Sequence, residues 1–240
     1  MTQNLISWWA FNSNANDSAV SANNLTTSGS PSYVSGKIGN AVDFEVDSSQ
    51  HAWISDASQT GLDITNDFTI ALWVNFETFS GGNIQRLAGK FDSSVGLNAG
   101  YGFRASNTAG LCADLSSNGS TVNSYCTSWS ASTGTWYLAA MTFDADAQEA
   151  KFYVDGTQLG STQSTTESSI YNNPTRFAVG SIQDGGAIYL DGKIDEAGIW
   201  GRVLTASEIS ALYNSGSGKA YSELSTTTSA TSSGAPVQNF

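Results

Sequence analysis

The chain has 240 residues, enough for one large β-sandwich or two small domains, and its 40% hydrophobic and 11% aromatic residues supply a sizeable core. Only 12% of residues are charged, and the net charge of −12 at pH 7 argues against nucleic acid as a partner, because that affinity rests on Lys and Arg displacing phosphate counterions. No apolar run approaches the roughly 20 residues needed to cross a bilayer, so no membrane insertion is expected.

Residues 1–11, "MTQNLISWWAF", lack the basic segment and small-residue cleavage site of a signal peptide. Either the gene product is not exported by that route or the sequence starts after the signal; a virion protein released by lysis would need none. "LISWWAF" (5–11) is predicted as the first strand, followed by a polar loop, "NSNANDSAVSANNLTTSGS". "GKIGNAVDFE" (36–45) and "HAWIS" (51–55) continue the sheet. Alternation is cleanest in "DFTIALWVNFE" (67–77): Phe68, Ile70, Leu72, Val74 and Phe76 share one face, and Thr69, Ala71, Trp73, Asn75 and Glu77 share the other.

Shorter strands are predicted around "RLAGKF", "YGFRA", "GLCADL" and "VNSYCTSW". Cys112 and Cys126 flank "ADLSSNGSTVNSY", with the hairpin signal Asn118-Gly119 midway, so they fall opposite each other within one residue of register. They are either a cross-strand disulfide, which would imply an oxidising or extracellular setting, or two small apolar residues on neighbouring strands. "TWYLAAMTFD" (135–144) alternates through Tyr137, Ala139, Met141 and Phe143, and "AKFYVDGTQLG" (150–160) is a hairpin turning at Asp155-Gly156. "RFAVGSI" and "AIYLDGKIDEAGIW" complete the set.

Short strands with turns every 8–12 residues predict an all-β fold, an antiparallel two-sheet sandwich. "LTASEISALYN" (204–214) is the one predicted helix: Thr205 or Ser207 caps it, Glu208 completes a capping box, and Ile209, Leu212 and Tyr213 share a face. Such a lone helix is expected to cover an open end of the sandwich. Beyond it the composition divides the chain into a folded domain, 1–220, and a Ser/Thr-rich tail or linker, 221–240.

Five segments in order resemble one family: "WWAFNSNANDSA", "GKIGNAVDF", "DFTIALWVNF", "TWYLAAMTFDADAQEAKFYVDGTQLGS" and "LDGKIDEAGIWGRVLTASEISALYN". Together, over about residues 5–215, they are similar to the laminin-G-like, concanavalin A-like jelly-roll domains. The resemblance implies one concave and one convex sheet with variable rim loops, a final strand lying beside the first, and a short helix plugging the sandwich edge. It also implies a structural calcium where the first loop meets the last strand, with Asp17 and Asp195 as its ligands. Parity with Ala197 and Ile199 points Asp195 inward, where a buried carboxylate must be hydrogen-bonded, paired or metal-bound.

Relatives with this jelly roll include glycoside hydrolases and polysaccharide lyases, which makes paired carboxylates the first test of catalysis. Glu45 and Asp47 share a strand face, but Ser48-Ser49-Gln50 follow where the hydrolase pattern needs a third acid; Asp195 and Glu196 are expected on opposite faces. The single histidine, His51, lies in no nucleophile motif. One His and two turn-flanking Cys make a poor zinc set. No enzyme is therefore expected. Glycan binding uses flat aromatics beside amides and carboxylates, and the candidates on predicted rim loops are Asp92, Asn98, Tyr101 and Trp129.

The expectation is a non-catalytic domain that recognises extracellular or cell-surface glycan or glycoprotein, with calcium as a candidate cofactor. Two alternatives stand beside it. One is a decoration or adhesion protein of a virion or cell surface, assembling as a homo-oligomer or surface array through its jelly roll and tail. The other is a divergent glycosidase or lyase with carboxylates on non-local strands.

Overall fold

Period-two alternation becomes, in the computed structural model, fifteen strands and one α-helix among the described residues, which are 1–79, 84–92, 98–182 and 188–224. The strands are β1 (Leu5–Trp9), β2 (Thr26–Ser28), β3 (Ser32–Ser35), β4 (Asn40–Phe44), β5 (His51–Ile54), β6 (Phe68–Phe76), β7 (Ile84–Lys90) and β8 (Tyr101–Ser106). They continue as β9 (Gly110–Leu115), β10 (Asn123–Thr127), β11 (Trp136–Asp144), β12 (Glu149–Val154), β13 (Thr157–Ser164), β14 (Phe177–Val179) and β15 (Gly192–Trp200), before the helix α1 (Ala206–Tyr213). Residues 93–97 of a predicted rim loop and 225–240 of the predicted tail lie outside the described residues.

Two antiparallel sheets form. One has eight strands in the order β13-β12-β11-β6-β15-β4-β3, with β1 also on β15; the other has seven, β10-β9-β8-β7-β14-β5-β2. Short β2 and β3 arise at "TTS" and "SYVS", the first within the predicted polar loop, because each needs only a neighbour, β5 or β4, to complete its hydrogen bonds. Between the sheets lies the main core, where Phe68, Ile70, Leu72, Val74 and Phe76 of β6 meet Leu111, Ala113 and Leu115 of β9.

A second apolar layer covers the outer face of the eight-stranded sheet. Ala71 and Trp73 of β6, Leu138 and Ala140 of β11, and Trp8 and Trp200 pack against Ile209 and Leu212 of α1. The helix therefore lies across a sheet face rather than over an open end, because the polar-parity side of β6 and β11 is itself apolar and requires cover. Its start is as predicted: the Thr205 hydroxyl accepts from the Glu208 N–H and the Glu208 carboxylate accepts from the Thr205 N–H. Leu224 joins the same layer, so the packed fold runs past residue 220.

β15 carries the fold's main irregularity. Asp195 pairs with Trp73 and Gly198 with Ala71, so three steps on β15 match two on β6, a β-bulge in which Glu196 takes φ 46°. The extra residue breaks the parity expected for this strand. Ile194 and Ala197 face the main core, while Asp195 stands opposite Trp73 and Glu196 meets the Trp8 indole, both of the outer layer. Asp195 thus does not point inward, and the two acids do not oppose each other.

On the seven-stranded sheet, Cys126 and Cys112 are register partners and form a disulfide. Replacing both by Ala should lower stability by about 3 kcal/mol, or roughly 9 °C in Tm, through the freed loop of the unfolded chain. Calorimetry reads the loss, and a thiol assay on unreduced, denatured protein should find no free thiol.

Candidate functional site

The four predicted glycan ligands do not converge. Successive antiparallel strands alternate the ends at which their connections lie. Asp92 and Asn98 flank the β7–β8 connection, at the end where Ala99 N–H donates to Gly119 O and Ser116 N–H to Gly100 O. Trp129 follows β10 at the other end, beside the β8–β9 turn. Tyr101 is not on a rim at all: it opens β8, its ring packs 5.0 Å from that of Phe68, and its hydroxyl donates to Leu62 O at 2.8 Å. Asp92 is buried and Asn98 half-buried.

Around Trp129 a site does assemble. Gly110, at φ 84°, lets the β8–β9 turn press against the 127–129 backbone; a Cβ there would lie 2.0 Å from Thr127 O and 2.4 Å from Trp129 N. The half-buried indole is held edge-on, 5.1 Å from the Tyr137 ring and 6.0 Å from that of Phe76. Tyr137 in turn accepts from Ser132 N–H through its hydroxyl. A depression of about 360 Å³ results, lined by Asn107, Thr108, Gly110, Ser128, Trp129 and Ser130. The Asn107 amide donates from Nδ2 to Phe79 O at 3.4 Å, while its buried Oδ1 has no donor.

A rigid indole beside hydroxyl side chains can stack on an apolar CH face and exchange hydrogen bonds with a sugar hydroxyl. Sequence reasoning found Trp129 but not Asn107 or Thr108. The signal available for them was "SNTAG" (106–110), where the Ser106 hydroxyl accepts from the Thr108 and Ala109 N–H groups to close a tight turn.

Asp17 and Asp195, the expected calcium ligands, both accept from backbone amides, Asp17 from the N–H groups of Trp8, Ala19 and Asn23. Asp195 accepts from Ile38 N–H at 2.8 Å. The one three-carboxylate cluster among the described residues is Asp43, Glu45 and Glu77. There the Lys193 ammonium, paired with Glu77 and 3.6 Å from Asp43, already supplies the counter-charge. His51 is buried against the Tyr189 ring with its Nδ1 on Ser49 O.

The bulge creates a pair of carboxyls beneath the tryptophan layer. Asp195 and Glu196 are 0% and 2% exposed, and Oδ1 of the first and Oε1 of the second have no hydrogen-bond partner. Burial pushes Asp195 up to about 7. Burial, with the adjacent Asp195 and Glu223 charges, pushes Glu196 up to about 8. Both values exceed those of the unfolded chain, so stability is fully present below about pH 4 and is lost as pH rises through 7 to 8. Glu196→Gln, which keeps an acceptor for Trp8, should melt about 4 °C above the parent at pH 8.5 and show no such gain at pH 5. Parallel melts at the two pH values test this.

Two antiparallel sheets packed face to face define a jelly-roll sandwich. The chain belongs to the concanavalin A-like lectin/glucanases superfamily, whose family profile matches residues 46–210. No curated protein matches it. Among solved structures it is similar to domain 4 of AbnA, a GH43 extracellular arabinanase from Geobacillus stearothermophilus solved with arabinotriose (TM-score 0.66, 20% identity, 87% of this chain and 97% of that one). It is also similar to the binding domain of Paraclostridial Mosquitocidal Protein 1 (TM-score 0.68, 17% identity, 89% and 52%) and to Trypanosoma rangeli sialidase (TM-score 0.65, 16% identity, 92% and 34%). The chain thus spans about half of the mosquitocidal binding domain and a third of the sialidase. At these identities the likeness is one of fold.

Proposed function

We propose that this chain is a non-catalytic recognition domain that binds extracellular or cell-surface glycan through the Trp129 depression. The observation that carries the reading is the indole itself, fixed by Tyr137 and Phe76 at the rim of a depression whose other walls are hydroxyl and amide side chains. Sugars present apolar CH faces and fixed hydroxyls, and this surface offers a partner for each. The arabinotriose complex of the arabinanase domain supports the reading by analogy of fold.

Hydrolysis of a glycosidic bond needs two carboxylates about 5–10 Å apart across the substrate, one of them protonated. Among the described residues, no carboxylate lines the depression. In the Asp43–Glu45–Glu77 group, Lys193 is paired with Glu77 and lies 3.6 Å from Asp43. The Asp195–Glu196 pair is buried under tryptophan. These placements support binding without bond cleavage, and the Cys112–Cys126 disulfide supports an oxidising, extracellular or surface location.

A glycan array followed by titration calorimetry tests the reading. Trp129→Ala should weaken the best array hit by 10-fold or more while the melting profile stays cooperative, and the parent should release no reducing sugar from mixed polysaccharides. Full affinity in the Trp129→Ala variant would remove the depression from the site.

A further inference from the structure

The chemistry of the depression also bears on which sugars fit, a question that rests on the glycan-binding reading of the site. Among the described residues, all of its lining side chains are uncharged. The nine Lys and Arg residues of the chain all fall within the described residues, and none of them lines it. Most are held elsewhere. Arg86 and Arg104 share Asp114, Lys90 sits between Asp56 and Asp63, Lys193 joins Glu77, and Arg202 grips Glu208.

A bound carboxylate or sulfate would therefore lose water without meeting a cation. It would do so on a protein of net charge −12. At physiological salt the screening length is about 8 Å, so distant lysines contribute little and the local lining decides.

We propose that the Trp129 depression selects uncharged saccharides and discriminates against uronates, sialylated and sulfated sugars. The missing cation is the filter. The class of ligand is a neutral hexose or pentose oligomer, presented with one CH face to the indole.

The test pairs neutral oligosaccharides with their C6-oxidised uronate counterparts, and lactose with sialyllactose, by calorimetry at 50 and 300 mM NaCl. The expected result is binding of the neutral member, at least 10-fold weaker binding of the charged one, and affinities that do not change with salt. Thr108→Lys, a change at an exposed position, should narrow that gap several-fold and make the charged ligand's affinity salt-dependent. Tighter binding of the charged member by the parent would overturn the selectivity while leaving glycan binding intact. Silence toward every saccharide would bring down the glycan reading itself, and this inference with it.

Discussion

The insertion of β15 between β6 on one side and β4 and β1 on the other is the constraint on which the rest of this molecule depends. Residues 192–194 pair with β4, residues 197–200 pair with β1, and β6 runs along the opposite edge. Nearly two hundred residues of chain separate β1 from its partner, so the eight-stranded sheet is complete only when the end of the fold arrives. Until then β6 exposes an unpaired edge as well as two apolar faces. Closure of that edge brings Trp8 and Trp200 into edge-on contact at 5.9 Å, with Gly198 leaving room for both rings. A strand assembled this late from distant segments makes for a slow folder with a strongly cooperative end state.

The changeover from β4 to β1 explains the bulge. A continuous partner would hold β15 in strict alternation; a partner that stops at Ile194 and another that starts at Ala197 leave two residues between them. Those two are Asp195 and Glu196, and both turn toward the tryptophan layer. The acidic pair is thus a by-product of topology placed where water is excluded, which is why its proton affinity is so high. The same layer gives α1 its seat.

Much of the architecture was legible wherever the chemistry is local. Alternation in 68–76 and 137–143 set the inner faces correctly, the Asp155-Gly156 turn forms with φ 51° and 78°, and the Thr205–Glu208 box caps the helix. What escaped was decided at a distance. The extra step at Glu196 reversed the direction read for Asp195. Apolar residues at Ala71, Trp73, Leu138 and Ala140 marked a second buried face that a one-core reading left to solvent. The site was half legible: Trp129 was found by its polar surroundings, but Tyr101 had the same surroundings in sequence and is core, because strand pairing, not composition, decides which aromatic reaches the rim. Asp92 and Asn98 failed as partners of Trp129 since the antiparallel order of β7 to β10 sends them to the far end.

The N-terminal ammonium of Met1 donates to the carbonyl of Leu224 at 3.2 Å, and the Trp200 indole donates to the Met1 carbonyl at 2.9 Å. The first residue and the last described one are therefore neighbours in space. A short bridge could join them and the polypeptide be opened instead at an exposed tip such as the β11–β12 turn, residues 146–148, with every strand neighbour preserved. By the same geometry the whole sandwich can be spliced into the loop of an unrelated host, entering and leaving through one narrow doorway.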